Sequence, residues 1–156
     1  MDDGVVPEVP ALVAHAVADP VRAERDFAAF GSAERMWQMV VAGSGDTDRA
    51  VYTHPGFAPH FRRALAESFA RGSGGYARDT VLAMGRWPFD PGAIVVPVHL
   101  WYGARDTSPV HAPDLGERLA ARIPGARRTV VADEGGAILW TRAGEILAAL
   151  VGDRPK

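Results

Sequence analysis

Two short β-rich segments in the second half of the chain constrain its fold more than any other feature. The first spans residues 94–102, with a strand expected to begin near Pro97, and the second spans residues 128–132. The helical pattern of residues 113–123 lies between them, and a second helix, with Thr141 as its expected cap, follows. Strands joined through a helix pair in parallel, and parallel strands are usually buried on both faces. The sequence therefore predicts a βαβα unit with two parallel strands.

The first half of the chain has helical rather than strand patterns. Asp19 precedes a proline, Ser32 follows a glycine, and Asp46 follows a glycine-rich break, so each is a predicted helix cap. We therefore predict two regions, a helical cap-like region over residues 1–90 and a βαβα portion over residues 91–156.

A sheet of only two parallel strands is incomplete by itself. Parallel sheets have neighbouring strands at their edges and helices on both faces, because open edges and apolar faces favour association. We therefore expect a partner that completes the sheet, either a second copy of the chain in a homodimer or a complementing N-terminal protein half.

Composition excludes several classes of protein. The formal net charge is -2 with acidic and basic residues intermixed, so we expect neither nucleic acid nor a membrane surface as a partner. The absence of cysteine excludes disulfides, thiolate metal sites and a cysteine nucleophile. The acidic start carries no long apolar run, from which we expect no signal peptide and a cytoplasmic location. Lys156 is the only lysine and asparagine is absent, a bias typical of a G+C-rich bacterial genome.

Asp106 is the strongest candidate for chemistry in the sequence. It lies just beyond the first β-rich segment, and the carboxyl ends of parallel strands are where α/β active sites form. An aspartate at this point can equally be a turn or capping residue. The pattern alone leaves both roles open.

Four short motifs in the second half of the chain occur together in one known family. They are Trp87-Pro88-Phe89-Asp90, Val96-Pro97-Val98, Tyr102-Gly103-Ala104-Arg105-Asp106 and Val131-Ala132-Asp133-Glu134-Gly135. With the helix between the strands, residues 71–151 resemble the C-terminal half of serine α/β-hydrolases that carry a helical cap. The resemblance implies a partial α/β-hydrolase fold, in which a cap segment precedes the βαβα unit, and it implies Asp106 as the triad acid.

The same resemblance implies that two catalytic residues are missing. The family's histidine should follow Glu134-Gly135, where this chain has Gly136. The family's nucleophile lies in a Gly-x-Ser-x-Gly elbow before the cap. None of the serines has the paired glycines of that motif: Ser32, Ser44, Ser68, Ser73 and Ser108. With Asp106 as a vestigial acid, we predict an α/β-hydrolase-like protein that has no hydrolase activity as this chain.

Two alternatives remain open, an oligomerising or ligand-binding module and an esterase-like hydrolase. The esterase would act on small apolar esters only with a complementing N-terminal half, and Asp106 would then work with His111. A candidate pocket for a small apolar ligand is lined by Trp37, Phe61, Phe69, Tyr76, Trp87 and His111. The aromatic members can instead form the core of the cap, and His111 can simply face solvent. We expect no cofactor and no metal, because the sequence contains neither an HExxH motif nor an EF-hand loop.

Overall fold

The computed structural model describes residues 8–152, apart from the Phe30 side chain. Six helices come first: α1 (Val9–Ala18), α2 (Pro20–Phe30), α3 (Ala33–Gly43), α4 (Asp46–Tyr52), α5 (Ala58–Ser68) and α6 (Gly74–Met84). A 3-10 turn (Pro91–Ala93) precedes β1 (His99–Gly103), α7 (Glu117–Arg122), β2 (Arg127–Val131), α8 (Ile138–Thr141) and α9 (Ala143–Gly152). This order confirms the predicted fold class, helices followed by a βαβα arrangement with two parallel strands. Over residues 8–152, every helix is too short or too polar to cross a membrane.

The chain divides into two units. The helical unit contains the described residues up to Gln38 together with Arg62–Pro88. The sheet unit contains Met39–Phe61 and the described residues from Phe89 onward. Residues 39–61, which the sequence analysis places in the cap-like region, therefore belong to the sheet unit. The cap-like role of residues 1–90 stays a prediction.

Small side chains form the centre of the helical unit. Ala23 of α2 and Ala77 of α6 are fully buried, and Phe27 and Val81 lie beside them in the same core. The spacing between packed helices depends on the side chains at their contact, so alanines allow α2 and α6 to approach closely. Phe27, Ala77 and Val81 are all buried in this core.

Two of the three helix caps predicted in the first half of the chain are confirmed. The Asp19 carboxylate accepts a hydrogen bond at 3.0 Å from the amide three residues later, and the Ser32 hydroxyl accepts an equivalent bond at 3.2 Å. The prediction for Asp46 is wrong, because Gly45 holds the cap position and Asp46 is the first residue of α4. The Asp46 side chain instead accepts a hydrogen bond from Arg49 at 3.3 Å.

The two strands pair in parallel, as predicted, with His99 opposite Arg127 and Gly103 opposite Val131. β1 begins two residues later than the expected start at Pro97. The prediction that the first strand is buried on both faces is wrong, because β1 is half-buried apart from Gly103. β2 consists of exposed and half-buried residues. Among the described residues the sheet has no third strand, so little of it is shielded from water.

The helix between the strands begins later than the sequence predicts. Leu115 and Gly116 have φ angles of 50° and 73°, a left-handed backbone that a helix cannot contain. α7 therefore starts at Glu117 rather than near Pro113. Glycine is required at position 116 for a second reason, since a Cβ there would collide with the ring of Tyr102.

The prediction that Thr141 caps the last helix is wrong. Thr141 is the final residue of the short helix α8, and its hydroxyl donates a hydrogen bond to Glu134 at 2.6 Å. The Arg142 carbonyl accepts the first backbone bond of α9, from the amide of Ile146 at 3.0 Å. The hydroxyl of Thr141 is thus committed to the segment after β2 and does not stabilise α9.

Candidate functional site

Asp106 lies in the loop that follows β1, at the carboxyl end of the sheet. The neighbouring Arg105 amide donates a hydrogen bond at 2.8 Å to the carbonyl of Glu134, which joins this loop to the segment after β2. One oxygen of the Asp106 carboxylate accepts a hydrogen bond from the Ser108 amide at 2.9 Å. The side chain is only 7% exposed, so its direction is well determined by its surroundings.

His111 pairs with the other oxygen of Asp106. The imidazole Nδ1 lies 2.6 Å from Oδ2 of the carboxylate, and the histidine side chain is 48% exposed. The sequence left open whether His111 faces solvent or works with Asp106. The structure places it both in contact with the acid and within reach of solvent.

Gly136 lies beside this pair. A Cβ atom at position 136 would be 3.0 Å from both carboxylate oxygens of Asp106 and 3.0 Å from Cε1 of His111. These distances are shorter than an ordinary contact of roughly 3.5–4.0 Å between carbon atoms. A side chain at residue 136 would therefore crowd the acid and the imidazole, which would have to shift by a few tenths of an ångström to admit it.

Asp48 holds the segment that contains Gly136, and sequence reasoning missed it. Its side chain is 4% exposed, and its two oxygens accept hydrogen bonds from the amides of Gly136 and Ala137, both at 2.9 Å. Paired amides of this kind are a favourable environment for a carboxylate in a water-poor site. No local signal distinguishes Asp48 from the other polar residues of α4, because its two partners lie 88 and 89 residues away in the chain.

Tyr52 also belongs to the surroundings of Asp48. Burial raises the pKa of the Tyr52 phenol, and the negative charge of Asp48 raises it further, while a hydrogen bond from the Trp140 indole opposes both effects. The negative charge of Asp106 also raises the pKa of Tyr52. Tyr52 is therefore a neutral hydrogen-bonding group at ordinary pH and not a proton acceptor.

Glu134 connects the segment after β2 to the last helices. Its carboxylate accepts hydrogen bonds from Thr141 at 2.6 Å and from Arg142 at 2.7 Å, and these two bonds lower the pKa of Glu134. Arg142 also bonds to Glu145 at 2.9 Å, and these carboxylate partners raise the pKa of its guanidinium. Glu134 thus ties the segment that carries Gly136 to the last helices.

A cavity of about 320 Å³ opens beside Asp106 and His111. The residues that line it include the polar Thr107 and Ser108 and the apolar Pro109 and Leu115. A volume of this size is at the small end of ligand pockets in proteins. Within residues 8–152, no three histidine or carboxylate side chains come together in a way that could hold a metal ion.

Comparisons with known proteins give likenesses of structure only. The sequence matches no protein-family profile and no curated protein. The structure is similar to an esterase (EaEST) from Exiguobacterium antarcticum, with 16% identity, a TM-score of 0.48, and coverage of 93% of this chain and 46% of the esterase. It is similar to the hydrolase olei00960 from Oleispira antarctica, with 14% identity, a TM-score of 0.46, and coverage of 94% of this chain and 47% of the hydrolase. It is also similar to Est816, described as an N-acyl homoserine lactone degrading enzyme, with 18% identity, a TM-score of 0.49, and coverage of 97% and 53%.

The chain spans about half the length of these solved structures. Identities and TM-scores in this range carry no argument beyond the likeness itself. They assign neither a family nor an activity to this chain.

The aromatic residues of the candidate pocket lie in both units. In the sheet unit, Phe61 packs against Tyr52 and Trp140 with ring centroids 5.1 and 6.4 Å apart. In the helical unit, Phe69 packs against Tyr76 at 5.8 Å. The two remaining aromatic residues are Trp37, whose ring lies 4.7 Å from the Arg62 guanidinium, and Trp87, which is exposed. No single unit contains all six predicted lining residues, so the pocket stays a prediction.

Proposed function

We propose that this chain is an α/β-hydrolase-like protein that does not hydrolyse esters through a serine–histidine–aspartate triad. One observation carries the proposal: residue 136, where the resemblance expects the triad histidine, lies beside the Asp106 carboxylate and is a glycine. Asp106 would then be a vestigial triad acid. Its position after β1 and its buried carboxylate support this reading.

The chemistry of the triad explains why the loss is decisive. The acid only orients and stabilises the histidine, while the histidine moves the proton of the nucleophile. Removal of the triad base costs on the order of a million-fold in turnover in a well-studied serine protease. The chain also contains no serine in a Gly-x-Ser-x-Gly elbow.

A fluorophosphonate probe tests the proposal, because it reacts covalently with activated serines. We expect no serine of the chain to be labelled, and labelling of a true serine esterase in the same experiment is the positive control. A labelled serine whose modification disappears in Asp106→Ala would overturn the proposal. Labelling that persists in that variant would overturn it as well, since it would reveal an activated serine elsewhere in the chain.

A second candidate function is association through the sheet unit. Within residues 8–152 both edges of the sheet lack a further strand, and Val130 of β2 and Leu147 and Leu150 of α9 are exposed apolar side chains. Open strand edges together with apolar surface favour pairing with another chain. We propose that a second copy of the chain covers this surface in a homodimer.

Light scattering coupled to gel filtration tests the association. We expect the mass of a dimer, and we expect Leu150→Lys to return the protein to a monomer. Leu82→Lys is the matched control, because Leu82 is exposed to a similar degree (57% against 52%) but lies on α6 of the helical unit. A monomer at the highest soluble concentration contradicts the homodimer, and a stable complex with a separate N-terminal hydrolase half would replace the second copy by that partner.

A further inference from the structure

The hydrogen bond between His111 and Asp106 determines how the imidazole is protonated. A carboxylate only accepts hydrogen bonds, so the Nδ1 atom that lies 2.6 Å from Oδ2 must carry the proton. In the neutral imidazole Nε2 is then unprotonated and has a free electron pair. The second carboxylate oxygen is occupied by the Ser108 amide, which prevents the carboxylate from turning away.

A side chain at position 136 would crowd the pair that Asp106 and His111 form. A Cβ at residue 136 would lie 3.0 Å from the carboxylate oxygens of Asp106 and from the ring of His111. The backbone at Gly136 cannot withdraw without breaking its bond to the buried Asp48. A side chain at position 136 would therefore oblige the carboxylate of Asp106 or the imidazole of His111 to shift by a few tenths of an ångström. Glycine at this position leaves the pair uncrowded.

We propose that Asp106 and His111 form a relocated acid–histidine pair, and that Nε2 of His111 is a nucleophile toward small activated esters in the cavity beside it. The cavity of about 320 Å³ is lined by His111 itself and by Pro109 and Leu115, which suits a short acyl chain. The proposal goes beyond the loss of the serine triad and does not depend on it, because it stands on the geometry of Asp106, His111 and Gly136.

The reaction proceeds through an acylated imidazole. Nε2 of His111 attacks the carbonyl carbon of the ester, the C–N bond forms, and the alcohol or phenol departs as its anion when the C–O bond breaks. The resulting acyl-imidazolium is positively charged, and the buried Asp106 carboxylate stabilises that charge. Water then attacks the acyl carbon, releases the carboxylic acid and a proton, and regenerates neutral His111.

A second histidine–carboxylate pair in the chain provides a matched control. His15 Nε2 lies 2.8 Å from Oδ2 of Asp26 in the helical unit. The Asp26 side chain is 58% exposed, against 7% for Asp106, so water solvates the carboxylate and competes for it. If any histidine–aspartate contact were sufficient for ester hydrolysis, His15 and His111 would contribute equally to the rate.

Hydrolysis of p-nitrophenyl acetate by the full chain tests the proposal. We expect His111→Gln to lower the protein-dependent rate at least ~10-fold, because the nitrogen that attacks the ester is removed. We expect His15→Gln to leave the rate unchanged. An unchanged rate in His111→Gln, or an equal loss in both variants, would overturn the proposal.

The tautomer of His111 provides a readout that a purely structural histidine would not share. Long-range ¹H–¹⁵N spectra distinguish the two ring nitrogens, and we expect a protonated Nδ1 and a free Nε2 in the unmodified protein. In Asp106→Asn we expect this preference to be lost together with the excess hydrolysis, while thermal unfolding shows that the variant is folded. Retention of both the tautomer and the rate in that variant would refute the role of Asp106.

The two proposals fail in different ways. A labelled serine would refute the absence of a serine triad and would leave the tautomer of His111 untouched. Unaltered hydrolysis in His111→Gln would refute the relocated pair and would leave the absence of a reactive serine untouched.

Discussion

Replacement of Asp48 should weaken the sheet unit substantially. Its two oxygens accept hydrogen bonds from the amides of Gly136 and Ala137, and the side chain is almost completely buried. Bonds to a charged partner contribute about 1.5–3 kcal/mol each, and a buried amide left without a partner costs a comparable amount. We therefore expect Asp48→Ala to lower the free energy of unfolding by about 3–5 kcal/mol. Asp48→Asn keeps one acceptor oxygen and should lose about half of that.

Amide hydrogen exchange is the most direct assay for this prediction. In Asp48→Ala the amides of Gly136 and Ala137 should exchange at least ~100-fold faster, which corresponds to about 3 kcal/mol. Chemical denaturation should show a lower midpoint with an unchanged slope. Asp46→Ala is the control, because Asp46 lies on the same helix with a fully exposed side chain. Unchanged protection of the two amides in Asp48→Ala, or an equal effect of Asp46→Ala, would refute the reasoning.

Two further predictions concern the segment after β2. Because the pKa of Glu134 lies below its ordinary value of 4.5, its bonds stabilise the folded state above that pH and lose this effect as the pH falls through the lowered pKa. We expect the melting temperature to fall on acidification from about pH 5 to about pH 3. In Glu134→Gln the melting temperature should fall less over the same range. An equal dependence of melting temperature on pH in the two proteins would contradict this prediction. Gly136→Ala should destabilise by about 1–3 kcal/mol because its Cβ would crowd the carboxylate and the imidazole. Gly144→Ala, with open space around it on α9, should be neutral or stabilising by about 0.5 kcal/mol in the same denaturation assay, and equal losses in the two variants would refute the crowding.

Features that depend on neighbouring residues in the chain could be predicted from the sequence. The caps at Asp19 and Ser32 are set by hydrogen bonds that span three residues. The parallel pairing of β1 and β2 follows from the helix between them, because a connection of that length returns the chain in the same direction.

Features that depend on distant or unusual backbone geometry were predicted wrongly or missed. The late start of α7 results from the left-handed backbone at Leu115, a residue type that rarely adopts it. The exposure of β2 depends on how many strands and helices cover it, which the strand's own residues do not encode. The Thr141 hydroxyl donates its hydrogen bond to Glu134 rather than capping α9, because the segment after β2 places the Glu134 carboxylate within reach.

By itself, the sequence determined the order of helices and strands and the place of Asp106 at the end of a strand. Both are local features of the sequence, since the spacing of hydrophobic residues and the end of a β-rich run can be recognised within a short stretch of residues. Only the tertiary structure decided which groups meet Asp106 and what holds them there. His111 and Gly136 meet at the carboxylate because the loops after β1 and β2 are joined by backbone hydrogen bonds. Asp48 reaches the same segment from a helix 88 residues away, a distance in sequence over which no pattern of residue types specifies a contact.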